Sequence, residues 1–499
     1  MSLKNNLVRY IDAGFPILYI NSYEENKVDT IIKNSAAGRK ILEWNGINGF
    51  TNFETKNAIQ MMDSTLEGTL RFLFQTGELE GTILVLKDVQ RLIEEPEIIA
   101  LLKSLAGKIS DGAIEANIII ETSVQKIPKE LEPYITLLEM DYLTTSDIKE
   151  IIVDFITENG VDMIRNELLE EMSIAFKGLS QFEVKNILAL AYADDGELSK
   201  QDLTLIFEQK QQLIMKSGIL EMIPQKESID DIGGLDNLKA WLKKKAKVFK
   251  NIDKAKEFGV DIPKGVLIAG VPGCGKSLNA KAAAKLFEVP LLRLDMGRIM
   301  GKYVGESETN MRKAIALAEA IAPCVVWIDE LEKGFAGVGG DGGGADVTTR
   351  LFGSLLTWMQ EKESAAFVVA TANDIIKLPP ELLRKGRFDE IFYVGLPSDN
   401  ERKRIFEIHI SKRRNKDLND IDLNRLVSRT KGYSGADIEG VVKESIENIY
   451  AEGKDKLTTD DLLEAIKNTH SLSEIMKEPL KKMSEEYENR KFKNASLEG

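Results

Sequence analysis

The sequence predicts an α/β protein whose parallel β-sheets carry a functional site at one edge. Short apolar runs typical of strands recur along the chain, and several of them end in polar or charged residues. A glycine-rich stretch lies directly between one such run and a helix-forming segment. The first half of the chain also repeats the order of segments of the second half, but without this stretch. Strands that alternate with helices are typical of parallel sheets covered by helices.

Length and composition limit the class of protein. The chain has 499 residues, too many for one hydrophobic core, so we expect about three domains. Its 43% hydrophobic and 29% charged residues are ordinary for a soluble globular protein. No apolar stretch approaches the ~20 residues that cross a bilayer, and the first residues lack a signal-peptide core. We therefore expect a cytoplasmic protein without a membrane partner.

Charge and cysteine content exclude further classes. A net charge of −14 repels phosphate backbones, so we expect no nucleic-acid partner. The densest basic run, 243–247, alternates with apolar residues like the solvated face of a helix. Two cysteines, Cys274 and Cys324, fit a reducing compartment rather than a disulfide or zinc site. The absence of an HExxH motif excludes a zinc protease of that type.

The glycine-rich stretch is GVPGCGKS at 270–277, which matches the phosphate-binding pattern GxxxxGK[ST]. Glycines allow successive backbone N–H groups to point at phosphate oxygens, and the start of the next helix adds the positive end of its dipole. Lys276 would reach the β- and γ-phosphates, and Ser277 would bind Mg²⁺. The alternative is a simple glycine-rich turn. The predicted nucleotide-binding residues of this loop are Pro272, Gly273, Cys274, Gly275, Lys276, Ser277 and Leu278.

A second apolar run, 324–328, ends in two carboxylates, Asp329 and Glu330. Buried unpaired charge is costly, so such a pair needs a reason. We predict that Asp329 holds Mg²⁺ and that Glu330 polarises the attacking water. A strand that ends in solvated acids is the alternative, but the position about 50 residues after a phosphate loop favours catalysis.

A third apolar run, 367–372, leads to Asn373, whose amide is suited either to holding a water near the γ-phosphate or to capping a turn. The segment that follows contains Arg384 and Arg387. If they lie at the far edge of the module, these arginines suit the γ-phosphate of a neighbouring subunit, where such residues contribute ~10³–10⁵ in rate. Surface ion pairs are the alternative for both arginines.

Residues from about 228 to 470 resemble the AAA family of AAA+ ATPases. The segments that carry the resemblance are DDIGGLDNLKAWL (230–242), GVPGCGKS, KYVGESETNMR (302–312), VVWIDE (325–330), ATAND (370–374), LLRKGRFDEI (382–391) and GYSGADIEGVV (432–442). The resemblance implies a P-loop NTPase that has a parallel sheet and a helical lid. It also implies that this protein hydrolyses ATP with Mg²⁺. It implies that Ile232 and Gly233 contact the adenine and that Asn373 senses the γ-phosphate. It also implies that Arg384 and Arg387 act in trans within a hexamer.

Two further segments are linked to the expected hexamer. Tyr303 stands where the family places an aromatic residue that grips polypeptide in the central pore; a tyrosine packed against its own domain is the alternative. The glycine-rich segment 337–344 either faces the same pore or is simply flexible.

The first 225 residues read as a copy of the second half that has lost its chemistry. PILYINSYEENK (16–27) stands where the phosphate loop would be, yet no glycine lies between Asn21 and Lys27. ILVLKD (83–88) parallels VVWIDE, with Lys87 in place of the magnesium-binding aspartate. We predict a degenerate ATPase-like α/β domain with its own helical lid, which cannot hydrolyse ATP. An unrelated α/β domain is the alternative.

With this arrangement the whole chain resembles the uncharacterised AAA ATPase family of cyanobacteria and algal plastids. The predicted regions are a degenerate α/β domain (1–142), a helical lid-like region and linker (143–227), the ATPase core (228–400), its helical lid (401–470) and a charged tail that frays at its end (471–499). Two functions stay open: a nucleotide-dependent hexamer that remodels protein substrates, or an ATP-dependent scaffold whose inactive domain docks a partner. A nucleic-acid motor fits the phosphate loop but not the acidic charge.

Overall fold

The computed structural model describes residues 3–216, 218–299, 306–335, 344–384, 386–490 and 492–497. The chain forms two compact units, one comprising Met1–Ile174 with Leu179–Leu198 and the other Ala175–Gly178 with Ser199–Gly499. Within the described ranges, no helix combines the length and apolar character that a membrane span needs.

The first unit contains a six-stranded sheet in the order β3-β2-β4-β5-β1-β6. Its strands are β1 (Ile17–Asn21), β2 (Lys40–Asn45), β3 (Gly49–Asn52), β4 (Thr82–Lys87), β5 (Ala116–Thr122) and β6 (Ile135–Leu138). All neighbours pair in parallel except β3, which pairs antiparallel with β2. Strands β4 and β5 are buried along their whole length, as expected for strands covered by helices on both faces.

The helices of the first unit follow the predicted division into core and lid. Those that cover the sheet are α1 (Leu3–Asp12), α2 (Glu25–Ser35), α3 (Leu66–Thr76) and α4 (Pro96–Ser110). The helical region contains α5 (Thr145–Asn159), α6 (Asn166–Ala175) and α7 (Gln181–Asp195). Helices α5 and α7 both begin with a capping box and end at a glycine in the left-handed conformation, which fixes their limits from sequence.

The second unit contains a seven-stranded sheet in the order β13-β12-β8-β11-β10-β9-β7. Its strands are β7 (Leu220–Ile223), β8 (Gly265–Gly270), β9 (Leu291–Leu294), β10 (Cys324–Ile328), β11 (Ala366–Ala372), β12 (Glu390–Val394) and β13 (Lys493–Asn494). Strand β7 is antiparallel to β9, and the other pairs are parallel. Alternate residues of β10 enter opposite cores, since Val326 packs on one face of the sheet and Trp327 on the other.

The helices of the second unit include those of the lid. They are α8 (Asp202–Lys216), α9 (Asp236–Phe249), α10 (Ile252–Glu257), α11 (Lys276–Phe287), α12 (Met296–Ile299), α13 (Glu306–Ile321), α14 (Gly344–Glu361), α15 (Asp399–Arg414), α16 (Leu423–Arg429), α17 (Gly435–Ala451), α18 (Thr459–Asn468), α19 (Leu472–Ile475) and α20 (Lys477–Arg490). A core of its own, which includes Phe406, Val441 and Leu462, holds the lid helices α15 to α18 together. Helix α8 clusters with this second unit although the sequence grouped it with 143–227, so the domain boundaries stay predictions.

The two sheets share one strand order, which confirms the predicted fold of both halves. In the first unit the parallel strands are β1, β2, β4, β5 and β6. Numbered 1 to 5 along the chain, they lie in the sheet in the order 2-3-4-1-5. Strands β8 to β12 of the second unit lie in that same order. The first half therefore has the same sheet topology as the second half, as expected if it is related to the second half.

The end of the chain differs from the sequence prediction. We expected the charged tail to fray after its helix, but residues 493–494 form β13 beside β12. Ala495 is completely buried, and Tyr487 of α20 stacks on Tyr393 of β12 with ring centroids 4.1 Å apart. The expectation failed because it rested on the polar composition of the segment, whereas a parallel edge strand is held mainly by backbone hydrogen bonds.

Candidate functional site

The predicted site residues meet in a cleft of about 450 Å³ at the carboxyl ends of β8, β10 and β11. Polar side chains that follow adjacent parallel strands are brought together at this edge of the sheet. The predicted residues that line the cleft are Ile232, Gly233, Pro272, Gly273, Cys274, Gly275, Lys276, Ser277, Leu278, Asp329, Glu330 and Asn373. Twelve of the fourteen predicted residues are thus brought together, and Arg384 and Arg387 are not.

The glycine loop passes closely over the sheet and against the lid. A Cβ atom on Gly270 would lie 2.1 Å from the carbonyl oxygen of Val394, so only glycine fits at the start of the loop. At its other end Gly275 has φ of +84° and leads into α11 without a side-chain cap, which leaves the first N–H groups of that helix available to an anion. The N–H of Ala436, in the first turn of α17, donates to the carbonyl of Gly273 at 2.9 Å. The loop is therefore enclosed by both the sheet and the lid.

Lys276 is buried in the loop, and its ammonium donates to the carbonyl oxygens of Gly270 at 2.9 Å and Val271 at 2.7 Å. Burial lowers the pKa of Lys276 to about 8, although the nearby acids Glu332 and Asp329 oppose this shift. Cys274 also lines the cleft, and burial raises the pKa of its thiol to about 11. The loop therefore holds a cation that a polyanionic ligand would stabilise strongly.

Asp329 joins the loop to the strands through two hydroxyl groups. Ser277 Oγ donates to Asp329 Oδ1 at 3.0 Å, and Thr371 Oγ1 donates to the same oxygen at 2.5 Å. The backbone N–H of Glu330 donates to Thr371 Oγ1 at 3.1 Å, so Thr371 holds both acids. The sequence reasoning gave Thr371 no role, although it lies two residues before Asn373 and faces the same end of the sheet.

The side chain of Glu330 lies between an amide and an ammonium. Asn373 Nδ2 donates to Glu330 Oε1 at 3.3 Å, and Lys333 Nζ lies 2.5 Å from Glu330 Oε2. The turn after β11 is capped by Asp374, whose side chain accepts from the N–H of Ile376. Asn373 is therefore not the residue that caps this turn, and its amide is directed at the carboxylate instead. The backbone N–H of Asn373 donates to Glu332, a buried acid that the sequence reasoning also missed.

The far end of the cleft is apolar. Ile232 is buried, and a Cβ atom on Gly233 would lie 2.4 Å from Ile405 Cγ1, so the segment packs closely on α15. Ile408 and His409 of α15 complete this wall, and burial lowers the pKa of His409 despite the nearby Glu439. These α15 residues were missed, although their spacing of three and four residues places them on one helix face. The apolar side chains of this wall suit a planar base, although Asp231 and Glu439 also line the cleft.

The two predicted arginines lie outside the cleft. Arg384 is exposed, and Arg387 donates to the backbone carbonyl of Glu381. In the part of the chain that the structure describes, neither forms an ion pair with a carboxylate. Both guanidinium groups therefore remain without an anionic partner from these residues. Tyr303 and most of the glycine-rich segment 337–344 lie outside the described residues, which resume with α14 at Gly344.

The donor atoms of Asp329 and Ser277 fit a hard cation. Both are oxygen atoms, which Mg²⁺ prefers, and Mg²⁺ usually takes only one or two protein ligands besides phosphates and water. No cluster of three or more His, Cys, Asp and Glu side chains that suits a metal ion occurs among the described residues. The two residues present suit a metal that enters with a phosphate ligand.

In the first unit the equivalent place is filled by a buried ion cluster. Asp88 has φ of +53°, close to the +49° of Glu330, and the preceding residue Lys87 stands where Asp329 stands. Lys87 Nζ lies 2.7 Å from Asp29, 3.7 Å from Glu121 and 3.9 Å from Glu43. These carboxylates raise the pKa of Lys87 although burial opposes them. Burial also raises the pKa of Glu121 to about 8. An ammonium thus occupies the position that corresponds to Asp329.

The loop after β1 also keeps its contact with the lid but not its chemistry. The N–H of Phe182, in the first turn of α7, donates to the side chain of Glu24 at 3.1 Å. The equivalent helix α17 of the second unit donates to a glycine carbonyl of the phosphate loop. A carboxylate from the chain itself therefore lies at the helix end where a phosphate loop would approach, and a carboxylate is favourable at the positive end of the helix dipole.

Comparisons with known proteins agree with this geometry. Residues 266–396 match the profile of the ATPase family associated with various cellular activities (AAA), and 420–464 match the AAA+ lid domain. Residues 3–140 and 146–217 match the N-terminal and second domains of SpoVK-like AAA ATPases.

Similar proteins match along nearly the whole chain. The uncharacterized AAA domain-containing protein ycf46 of Guillardia theta is 38% identical over 95% of this chain and 92% of its own length. The protein of the same name from Pyropia yezoensis is 34% identical over 100% of both chains. The proteasome-activating nucleotidase of Saccharolobus solfataricus is 28% identical over 80% of this chain and 98% of its own.

The charge cluster in the first unit predicts that Lys87→Met destabilises that unit by about 3–5 kcal/mol, because the change leaves buried carboxylates without their cation. Amide hydrogen exchange of β4 and β5 in the full chain would measure the loss. Lys126→Met, which removes an exposed partner of Glu94, should cost at most about 1 kcal/mol. Equal protection in Lys87→Met and the unaltered protein would contradict the assigned role of Lys87.

The lowered pKa of Lys276 predicts that nucleotide binding takes up a proton near pH 8.5. The free site holds Lys276 partly deprotonated above its pKa of about 8, and bound phosphates restore the ammonium by opposite charge. Affinity should therefore fall as pH rises from 7 to 9.5. Calorimetric titration with ADP in buffers of different ionisation enthalpy would measure the uptake. Binding heats that do not depend on the buffer would rule out this titration.

Proposed function

This chain belongs to the AAA family of ATPases and hydrolyses ATP, and from that premise we propose that it works as a hexameric ring that remodels protein substrates. The observation that carries the proposal is the division of the site. The residues expected to bind and hydrolyse ATP line one cleft, whereas two arginines of the same module lie outside it. A site completed by a neighbouring subunit needs such a division.

The proposed binding roles follow from the contacts in the cleft. The apolar end formed by Ile232, Gly233 and α15 takes the adenine. The backbone N–H groups of residues 273–278 and the ammonium of Lys276 bind the phosphates, and Lys276 exchanges its loop carbonyls for phosphate oxygens. Asp329 and Ser277 hold Mg²⁺, which neutralises charge on the phosphates when it is bound.

The proposed catalytic roles belong to Glu330 and Asn373. Glu330 accepts a proton from, or orients, the water that attacks the γ-phosphate. In the structure Glu330 accepts a hydrogen bond from Asn373 and pairs with Lys333, and we expect both contacts to rearrange when the attacking water binds. Thr371 keeps the backbone of Glu330 in place beside Asp329.

The names of two related ATPases support the proposal that this protein remodels proteins. One relative is a proteasome-activating nucleotidase, and another is the ATP-dependent zinc metalloprotease FtsH of Thermotoga maritima, 37% identical over 47% of this chain and 39% of its own length. This chain carries no HExxH motif, so it lacks that kind of zinc site. Its similarity to FtsH therefore concerns the ATPase. We therefore propose protein substrates for the ATPase and no peptide-bond hydrolysis by an HExxH site.

Ring assembly can be tested with Glu330→Gln, which should bind ATP without hydrolysing it and elute as a hexamer with ATP and Mg²⁺. In the unaltered protein, ATPase activity per chain should rise with protein concentration. Arg384→Ala/Arg387→Ala should bind ATP normally and lose about 10³-fold in kcat. Arg404→Ala, an exposed arginine paired with Glu407, is the matched control and should keep full activity. A Glu330→Gln variant that stays monomeric at micromolar concentration would remove the main support for the ring.

A second candidate, an ATP-dependent scaffold, is favoured by the first unit, which keeps the fold but has an ion cluster in place of a site. Tyr303→Ala distinguishes the two candidates. In a remodelling motor the change should abolish processing of substrate and leave ATPase activity within about twofold, since the residue is expected in the pore rather than the cleft. In a scaffold neither property should change. The substrate for this assay would come from a pull-down with the Glu330→Gln variant.

A further inference from the structure

The segment Phe492–Ser496 runs between two parts of the ATPase module that carry predicted functional residues. Its strand β13 pairs with β12, and β12 begins three residues after Arg387. Its other side meets the start of α9, which begins three residues after Gly233. The segment thus contacts the strand that follows the arginines and the helix that follows the adenine wall.

Backbone hydrogen bonds fix both contacts. The N–H of Ala495 donates to the carbonyl of Tyr393 in β12 at 2.8 Å, and the carbonyl of Ala495 accepts from the N–H of Leu238 in α9 at 3.2 Å. Asn237 Nδ2 donates to the carbonyl of Ser496 at 2.8 Å. Helix α9 has no side-chain cap of its own, so the carbonyl of Ala495 satisfies the backbone N–H of Leu238 in its first turn. Complete burial of Ala495 shows that this is a packed junction.

Side chains extend the contact toward the arginines. Lys493 pairs with Glu390, the first residue of β12. Phe492 and Lys493 line a surface cavity of about 1240 Å³ together with Arg384, Leu383 and Phe388. The turn that carries Arg387 and leads into β12 is held separately by Lys264. Lys264 Nζ donates to the carbonyl of Gly386 at 3.0 Å, and the side chain of Asp389 accepts from the N–H of Lys264 at 3.0 Å. The turn is therefore anchored on its inner side by the core, and Phe492–Ser496 supports the strand that leaves it.

We propose that Phe492–Ser496 positions Arg384 and Arg387 for the ATP of the neighbouring subunit. The inference rests on the proposed action of these arginines in trans. Without the segment, β12 becomes an unsupported edge strand and the cavity beside Arg384 loses one wall. The arginines then lose their fixed placement, while the cleft of the same chain keeps every residue that binds nucleotide. A displacement of about 1 Å in a catalytic group is enough to reduce a rate by ~10²-fold.

Mixed rings test the proposal directly. The acceptor is Arg384→Ala/Arg387→Ala, with an intact cleft and no arginines to donate. The donor is Glu330→Gln, with intact arginines and an inactive cleft. Neither should hydrolyse ATP efficiently alone, and mixing should restore activity at acceptor clefts beside a donor. A donor that also lacks residues 492–499 should restore about 10²-fold less activity, as a lower kcat with an unchanged KM for ATP.

Matched variants separate positioning from folding. A donor that lacks only residues 497–499 keeps the strand and should restore full activity, since Leu497 is largely exposed. A donor with Phe492→Ala and Lys493→Ala keeps the backbone and should restore activity partially, with kcat again affected rather than KM. Nucleotide binding and entry into the ring, followed with a tagged acceptor, should be unchanged in every donor.

The outcomes distinguish this inference from the proposed function. If even the complete donor restores nothing, the action of the arginines in trans is wrong whatever the tail does. If the donor without 492–499 restores activity as well as the complete donor, the positioning role is wrong and the proposed function stands. A shortened donor that no longer enters the ring also overturns the inference, because the segment would then serve assembly.

Discussion

The site depends on one carboxylate oxygen, Asp329 Oδ1, which accepts hydrogen bonds from both Ser277 and Thr371. These three residues come from the helix after the loop, from the end of β10 and from β11, so this oxygen ties together three separate stretches of chain. The arrangement is possible only because parallel strands end at the same edge of the sheet. It also brings Glu330 to the correct place, since the N–H of Glu330 donates to the hydroxyl of Thr371. The loop, the proposed magnesium ligand and the proposed catalytic carboxylate are thus positioned by the same few hydrogen bonds.

The fold and most of the cleft were predictable from sequence because their signals are local. A glycine on which a Cβ atom would lie 2.1 Å from a carbonyl oxygen, as at Gly270, leaves a pattern within a few residues, and so does a buried strand that ends in acids. Thr371 and the α15 wall were missed because their roles depend on which elements become neighbours. The packed end of the chain was missed for a similar reason, since its hydrogen bonds come from the backbone of Tyr393 and Leu238 and leave no mark on composition.

The first unit shows which features of the site belong to the fold and which to the chemistry. Its sheet has the same strand order, and Asp88 keeps a left-handed backbone at the position of Glu330. The charges differ between the two units. In the first unit Lys87 lies among carboxylates, and the side chain of Glu24 accepts a hydrogen bond from the first turn of α7. The backbone geometry is therefore a property of the fold. The charges can differ without loss of that geometry, provided that buried ions remain paired.

The two units differ in which groups neutralise the charges at the edge of the sheet. At the edge of a parallel sheet, helix starts and strand ends concentrate positive and negative partial charges that need partners. In the first unit the partners are side chains of the chain itself, and Lys87 lies within ion-pair distance of Asp29, Glu43 and Glu121. In the second unit the hydrogen bonds that Lys276 donates among the described residues go to two loop carbonyls, and burial lowers its pKa although nearby acids oppose this. A side chain that is incompletely satisfied in the free protein is one whose interactions a phosphate can improve. At the proposed nucleotide site, bound phosphates would therefore stabilise the ammonium of Lys276, and this interaction depends on the placement of charge rather than on the shared fold.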